Sequence, residues 1–206
     1  MKETPGSNAK QAGLAPEPAL GTRERIVRAA SLLMQRQGYD GTGIKQIAQA
    51  ADATLGSVYH FFPGGKQELA TAAIDHGNRE FVEALSSTFE NADDPAQAIA
   101  AFTGFLAERL AESNWVDGCP ISTTALGSVG RLPDVQSAAA QAFALWREVV
   151  SDALVKAGIP EADAHDLAHT VISTLEGAEL AAQVSGSSAS LEIAGRHLAQ
   201  LITAYR

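Results

Sequence analysis

The chain has 206 residues, of which 46% are hydrophobic and 19% charged, a composition typical of a globular protein. No apolar run reaches the roughly 18–20 residues that a membrane span requires, and the first residues lack an apolar signal region, so we expect a cytoplasmic protein with no membrane partner. The single cysteine, Cys119, excludes an intrachain disulfide framework, and the net charge of −9 argues at first against a nucleic-acid partner.

The charge is divided unevenly along the chain. Residues 1–66 carry eight Lys and Arg against five Asp and Glu, a net charge of +3, whereas residues 67–206 carry seven against nineteen, a net charge of −12. A basic head on an acidic body suits a protein that offers only one face to DNA. Chance clustering of surface charge is the alternative that these counts leave open.

The first third of the chain predicts a short arm followed by three helices. Residues 1–21 contain prolines, glycines and small polar residues without apolar periodicity, and we expect them to form a disordered arm. Thr22 and Thr54 are the expected N-caps of the first and third helices, and Gly38 ends the first. The inward positions of the three helices are Ile26, Ala30, Leu33, Met34, Ile44, Ile47, Ala48, Ala51, Val58 and Phe62.

The rest of the chain predicts longer helices separated by Gly, Pro and Ser. Asp94 followed by Pro95 is a strong start signal, with Asp as N-cap and Pro at the first helical position. The expected helical segments are residues 66–90, 94–113, 118–130, 133–158, 161–184 and 189–205. Because no alternating β pattern and no internal repeat is present, the fold class is predicted to be all-α.

Three short helices, the second and third joined by a tight turn of small residues, match a helix-turn-helix. This motif needs an apolar underside that fixes the recognition helix, and small or polar residues on the outer face that reach phosphates and base edges. Tyr59 is interpreted as a contact to the DNA backbone or as a core residue, and His60 as a DNA contact or as solvated surface. Thr42 is either a phosphate contact or a simple cap. The predicted DNA-binding residues are Thr42, Thr54, Leu55, Ser57, Tyr59, His60 and Lys66.

Residues 47–62, IAQAADATLGSVYHFF, followed by Lys66, resemble the recognition pattern of the tetracycline-repressor (TetR) family, roughly IAxxAGVSxGxxYxxFxxK. Residues 38–42, GYDGT, resemble the family's link between the first two helices. The resemblance covers about residues 22–70. It implies a transcription repressor with a three-helix DNA-binding head on a helical body that dimerises and holds a small-molecule pocket.

Two later segments, FPGGK at residues 62–66 and GCPI at residues 118–121, resemble the LmrA/YxaF-like branch of that family. The head also departs from the family pattern. Asp52 stands where Gly is usual in the turn, which Asp tolerates because it visits the left-handed region at modest cost. Leu55 replaces a polar or basic residue and, if exposed, would touch a thymine methyl group. Gly43 replaces the usual Ser or Thr cap of the second helix.

The predicted domains are the arm at residues 1–21, a helix-turn-helix DNA-binding domain at residues 22–66, and an effector-binding and dimerisation domain at residues 67–206. One short recognition helix reads too few base pairs to identify a genomic site, so we expect a homodimer on a palindromic operator. Residues 161–205 are the predicted dimer segment, because their apolar residues exceed what one body needs to bury. These are Leu167, Val171, Leu175, Leu180, Leu191, Leu198, Leu201 and Ile202.

Aromatic residues in the middle helices favour a pocket that binds a small apolar or aromatic effector, with Glu176 as a polar orienter. The alternative is that these residues are plain core and that the body binds a protein partner. The predicted lining is Phe102, Phe105, Leu106, Trp115, Cys119, Phe143, Trp146, Leu175 and Glu176.

Two further groups are interpreted without a functional role. His165 and His169 have the i, i+4 spacing of a metal pair, but no third ligand is evident nearby, so they are taken as surface or interface residues. Cys119 is either a redox sensor or a small buried hydrophobe. No phosphate-binding loop, catalytic triad or paired carboxylates are present, so we expect no enzyme activity, no metal and no cofactor.

Overall fold

A computed structural model describes residues 20–206, which form nine α-helices and, within that range, no strand. The all-α prediction is confirmed, and residues 1–19 of the predicted arm lie outside the described residues. None of the described helices is both long and apolar enough to cross a membrane. The helices are α1 (Thr22–Gly41), α2 (Ile44–Ala50), α3 (Leu55–Phe61), α4 (Gly65–Glu90), α5 (Pro95–Glu112), α6 (Pro120–Leu126), α7 (Pro133–Lys156), α8 (Glu161–Ser185) and α9 (Ala189–Ala204).

Helices α1 to α3 pack around one apolar core whose largest side chains are at most 1% exposed. Its largest members are Ile26, Met34, Ile47, Val58 and Phe62. These are the positions that helical periodicity assigned to the inner faces. The inward faces fix α3 against α1 and α2, so the outer face of α3 is free to meet a partner.

Local signals set the turn between α2 and α3. The Thr54 hydroxyl caps α3 by accepting a hydrogen bond of 3.0 Å from the Ser57 backbone N–H. Asp52 adopts a φ of +47°, the left-handed conformation that the turn requires. Thr22, in contrast, is not a cap, because α1 begins at Thr22 itself and its N-cap Gly21 offers no side chain. Helix α1 also continues past Gly38, which bends it with a φ of +71° before the last turn.

Two helices join the head to the body. Helix α4 begins one residue before Lys66 and runs on for 26 residues, so its first turn lies in the head and the remainder in the body. Helix α1 packs against α4 and α6. The side chain of Gln35 donates to the Gly118 carbonyl at 2.6 Å, and the guanidinium of Arg36 binds both oxygens of Asp117 at 2.5 and 2.9 Å. These contacts tie α1 of the head to the segment that precedes α6 in the body.

The body is held by close packing of α5 on α9 and of α7 on α8. Asp94 caps α5 as its sequence predicted, accepting from the backbone N–H groups of Ala96 and Gln97 at 2.8 and 3.1 Å. Gly195 of α9 faces Thr103 of α5 so closely that a Cβ there would clash with the Thr103 hydroxyl. This contact fixes α9 tightly against the protomer that carries it.

Most apolar residues of the predicted dimer segment are buried within the protomer, so they are not a surplus available for an interface. Six of the eight apolar residues counted as surplus are buried inside the protomer, Leu180 is 58% exposed and Leu201 is half-buried. The side chains were counted as surplus because periodicity does not distinguish a protomer core from an interface. The large apolar residues exposed on α8 and α9 are Leu180, Val184 and Ile193, of which Val184 is 81% exposed.

Candidate nucleic-acid interface and ligand cavity

The outer face of α3 presents most of the predicted contact residues to solvent. Thr54, Leu55, Tyr59 and His60 are exposed and Ser57 is half-buried, whereas Val58 lies in the core. Tyr59 is 52% exposed, which excludes the interpretation that it serves only as a core residue. The arrangement offers hydroxyl, imidazole and methyl groups on one helix of a size that fits the major groove.

Lys66 lies beside this face, in the first turn of α4. Its ammonium nitrogen is 4.3 Å from the centroid of the Tyr39 ring, a cation–π contact that holds the side chain at the junction of α1 and α4. Partial burial lowers the pKa of Lys66, and the neighbouring Asp40 carboxylate opposes that change. The charge is thus placed where α1 ends and α4 begins.

Thr42 is a correction to the predicted contact set. Its side chain is fully buried, and its hydroxyl donates to the Gly38 carbonyl at 2.8 Å. The hydroxyl is engaged at the bend of α1 and has no access to a phosphate. Of the two interpretations open at the sequence level, the structure supports the cap.

Arg25 was counted among the basic residues of the head without a specific role. Its guanidinium donates to the carbonyls of Ala51 and Asp52 at 3.0 and 3.2 Å and so braces the turn that precedes α3. Sequence reasoning missed this role because the partners lie 26 and 27 residues away and are backbone atoms. Lys45 on α2 remains exposed.

The body contains a cavity of about 620 Å³ between α1, α4, α5 and α8. Its floor is buried and consists of Gly77, Leu106, Leu110 and Glu179, and the exposed ring of Phe105 lies at its side. The exposed charged residues of its rim are Arg36, Glu80, Glu83, Arg109 and Glu112. The volume is within the range of pockets that hold drug-sized molecules, roughly 300–1,000 Å³.

Phe105 and Leu106 are the two members of the predicted lining that reach this cavity. The other predicted lining residues lie outside the cavity, and three of them, Phe102, Phe143 and Trp146, pack in an aromatic cluster. Trp146 stacks on Phe81 with ring centroids 3.7 Å apart, Phe102 and Phe143 complete the cluster, and the indole N–H donates to Asn78 at 2.8 Å. The predicted lining residues outside the cavity are Phe102, Trp115, Cys119, Phe143, Trp146, Leu175 and Glu176.

Glu176 and Cys119 lie just behind the cavity floor. The Ser122 hydroxyl donates to the Glu176 carboxylate at 2.5 Å, so Glu176 is engaged inside the body. The Cys119 sulfur accepts a hydrogen bond from the Ser122 backbone N–H at 3.4 Å and caps α6. Burial raises the pKa of the Cys119 thiol well above its ordinary value of 9.0, with Glu176 and Glu179 adding to the effect. Cys119 is therefore a neutral thiol, which favours a packing role over redox sensing.

Glu179 is the buried cavity residue that sequence reasoning missed. It is 6% exposed, and burial followed by repulsion from Glu176 raises its pKa from 4.5 to about 8. The signal was present in the sequence, since Glu179 is four residues after Leu175 and three before Ala182, both on the buried face of α8. An acidic residue on an apolar helix stripe indicates a site or a buried partner.

Glu179→Gln is expected to change how stability depends on pH. The folded protein keeps the Glu179 proton up to about pH 8 while the unfolded chain loses it near pH 4.5. The wild type therefore loses stability relative to the variant as pH rises through this interval, by up to about 5 kcal/mol, and the difference is constant below and above it. Urea unfolding at matched protein concentration measures this, with the exposed Glu83→Gln as control. A difference that is independent of pH would contradict the assignment.

His165 and His169 are exposed near the start of α8, with ring centroids 4.9 Å apart. Among the described residues, no third His, Cys, Asp or Glu atom joins them in a ligand cluster. The structure thus places them on the surface, as interpreted from the sequence.

Comparison with known proteins identifies relatives for both parts of the chain. Residues 26–73 match the family described as bacterial regulatory proteins, tetR family, and residues 95–197 match the C-terminal domain of LmrA/YxaF-like transcriptional regulators. The chain is 31% identical over 189 residues to an uncharacterized HTH-type transcriptional regulator of Mycobacterium tuberculosis, covering 89% of this chain and 95% of the relative. It is also 31% identical over 170 residues to the HTH-type transcriptional regulator LmrA of Bacillus subtilis, covering 82% and 90%. A crystal structure of a TetR regulator from Chloroflexus aurantiacus matches with a TM-score of 0.72 and 31% identity, covering 88% of this chain and 94% of that one.

Proposed function

Since the chain belongs to the TetR family of bacterial regulators, in its LmrA/YxaF-like branch, we propose that it is a ligand-responsive repressor. It is a DNA-binding transcriptional regulator and not an enzyme, as its relatives are regulators. In the cytoplasm, it binds a palindromic operator as a homodimer. It is released from the operator when a small effector enters the cavity.

The observation that carries the DNA-binding site is the exposed outer face of α3 with a lysine beside it. We assign Tyr59 and Lys66 to contacts with the phosphate backbone, which position the protein on the duplex. We assign Ser57 and His60 to contacts with base edges, which distinguish one DNA sequence from another. Leu55 is 38% exposed and is assigned to a thymine methyl group. Thr54 caps α3 and presents its hydroxyl at the start of that helix.

Lys66→Ala is expected to weaken binding to all duplexes about equally and to reduce the salt slope by about one, because one phosphate contact is lost. The measurement compares a duplex selected by the wild type from a random library with an unrelated duplex of equal length, at several salt concentrations. Lys156→Ala, an exposed lysine at the end of α7, is the matched control. Unchanged affinity in both Lys66→Ala and Tyr59→Ala would overturn the assignment.

The effector role is supported by which helices line the cavity. Helices α1 and α4 contribute to its wall and also carry the head, and Arg36 of α1 is tied to Asp117 at the rim. A ligand that prefers another tilt of these helices would change the separation of two recognition helices in a dimer. A coupling of about 1–3 kcal/mol corresponds to a 5- to 150-fold change in operator affinity. Compounds that fill the cavity without releasing the duplex would favour a protein partner as the regulating signal.

The dimer is assigned to the outer face of α8 and α9. Leu180, Val184 and Ile193 are large apolar side chains exposed there in the single protomer. Pairing this face with its copy would form a four-helix bundle with the same patch on both sides, the usual geometry of a two-fold dimer.

A further inference from the structure

The carboxyl group of Glu179 has no hydrogen-bond partner among the described residues. It lies on the cavity floor, is 6% exposed, and receives no hydrogen bond or ion pair from any group in residues 20–206. No fully buried side-chain nitrogen or oxygen among the described residues lacks a hydrogen bond, so the Glu179 oxygens keep contact with the cavity, where a ligand can reach them. Ionising a nearly buried carboxyl group that has no protein partner is costly. The geometry therefore points to a ligand as the missing partner.

The charged residues around Glu179 favour a positively charged ligand. Glu176, the nearest acidic neighbour, is already bonded to Ser122. On the rim, Glu83 and Glu112 are exposed and make no ion pair within the described part of the chain. Arg36 is neutralised by Asp117, which leaves one basic rim residue against these acids. A cavity with this balance attracts a cation and repels an anion.

The apolar side of the cavity selects the rest of the ligand. Phe105 exposes 39% of its surface, and Leu106 and Leu110 extend the apolar floor beside Glu179. Aromatic faces attract cations as well as apolar groups. We propose that the cavity binds an aromatic compound that carries an ammonium group, with the Glu179 carboxylate as its counter-ion. This inference rests on the proposed effector function and specifies the chemical class of the effector.

A metal ion is the competing occupant of the same corner. The sulfur of Cys119 and carboxylate oxygens of Glu176 and Glu179 lie within 4.8 Å of one another. Two of these three groups are already engaged with Ser122, and the Cys119 thiol is neutral. A metal would have to displace these bonds and remove the thiol proton, whereas an ammonium group needs only the carboxylate that has no partner.

The test uses tryptamine and tryptophol, which differ in an ammonium group against a hydroxyl. Binding is measured by calorimetry at pH 8.5, which is above the Glu179 pKa of about 8 and at which tryptamine is still charged. The wild type is expected to bind tryptamine at least about 10-fold more tightly, since a charged hydrogen bond is gained. Glu179→Gln, which keeps the shape of the side chain, should abolish that preference. Glu148→Gln, an exposed glutamate of α7 outside the cavity, and Cys119→Ala should retain it.

Equal affinity for the two compounds, a preference that survives in Glu179→Gln, or no binding of tryptamine at millimolar concentration would each overturn the inference. So would binding that requires added Zn²⁺ and is lost in Cys119→Ala, which would assign the corner to a metal ion. Release of the selected duplex is measured in parallel. If tryptophol releases the duplex as well as tryptamine does, the effector function stands and the preference for a cationic ligand is wrong. If tryptamine binds selectively but does not release the duplex, the cation site stands and the effector function is wrong.

Discussion

Replacing Leu180 and Val184 together by Glu is expected to convert the dimer into a monomer and to weaken operator binding at least about 100-fold. Both side chains are exposed in the protomer, at 58% and 81%, so the substitutions leave the fold of the single chain intact. In a dimer paired through this face, the four introduced carboxylates would be buried without partners. A monomer presents one recognition helix, which contacts only half of a palindromic site.

Light scattering at micromolar concentration measures the first effect, since the protomer has a mass of 21.5 kDa. Leu126→Glu is the matched control, because Leu126 is an exposed leucine of α6, 69% accessible and outside α8 and α9. The control should remain dimeric and bind the duplex as the wild type does. If the wild type is a monomer, the proposed dimer is wrong. If the double variant is still a dimer, the interface lies on another face of the protomer.

Leu198→Glu is expected to unfold the protomer, and this is the second large effect. Leu198 is 3% exposed on α9, one turn after Gly195, where α9 lies closest to α5. Losing the leucine from a packed core costs about 2–5 kcal/mol, and an unpaired buried carboxylate adds several more. The sum is comparable with the total stability of a typical domain, about 5–15 kcal/mol. We therefore expect no cooperative unfolding transition for this variant.

Circular dichroism during urea unfolding distinguishes this outcome from simple dissociation. Leu198→Met, which nearly conserves volume, is the control and should cost less than about 1.5 kcal/mol. The sequence alone predicted Leu198 as part of the dimer seam, where Glu would separate the protomers. A folded, monomeric Leu198→Glu protein would restore that interpretation and contradict the burial seen here.

The sequence by itself determined the local structure of this protein. The N-caps at Thr54 and Asp94, the left-handed Asp52 and the inward faces of α1 to α3 all depend on residues within one or two helical turns of each other. Such short-range contacts leave a readable spacing in the chain. The exposed face of α3 followed from the same spacing, because the residues between the buried positions must point outward.

Tertiary structure alone decided which inward surfaces form core, cavity or interface. Periodicity assigned Trp146 and Leu198 inward but did not specify their neighbours, and these depend on the rotation and crossing of whole helices. Trp146 bonds to Asn78, 68 residues away, and so fills an aromatic cluster instead of lining a pocket. Arg36 reaches Asp117 across 81 residues and ties the head to the cavity rim. Among residues 20–206, the same long-range packing brings no hydrogen-bond partner to Glu179, and no spacing along α8 shows which side chains the neighbouring helices place beside it.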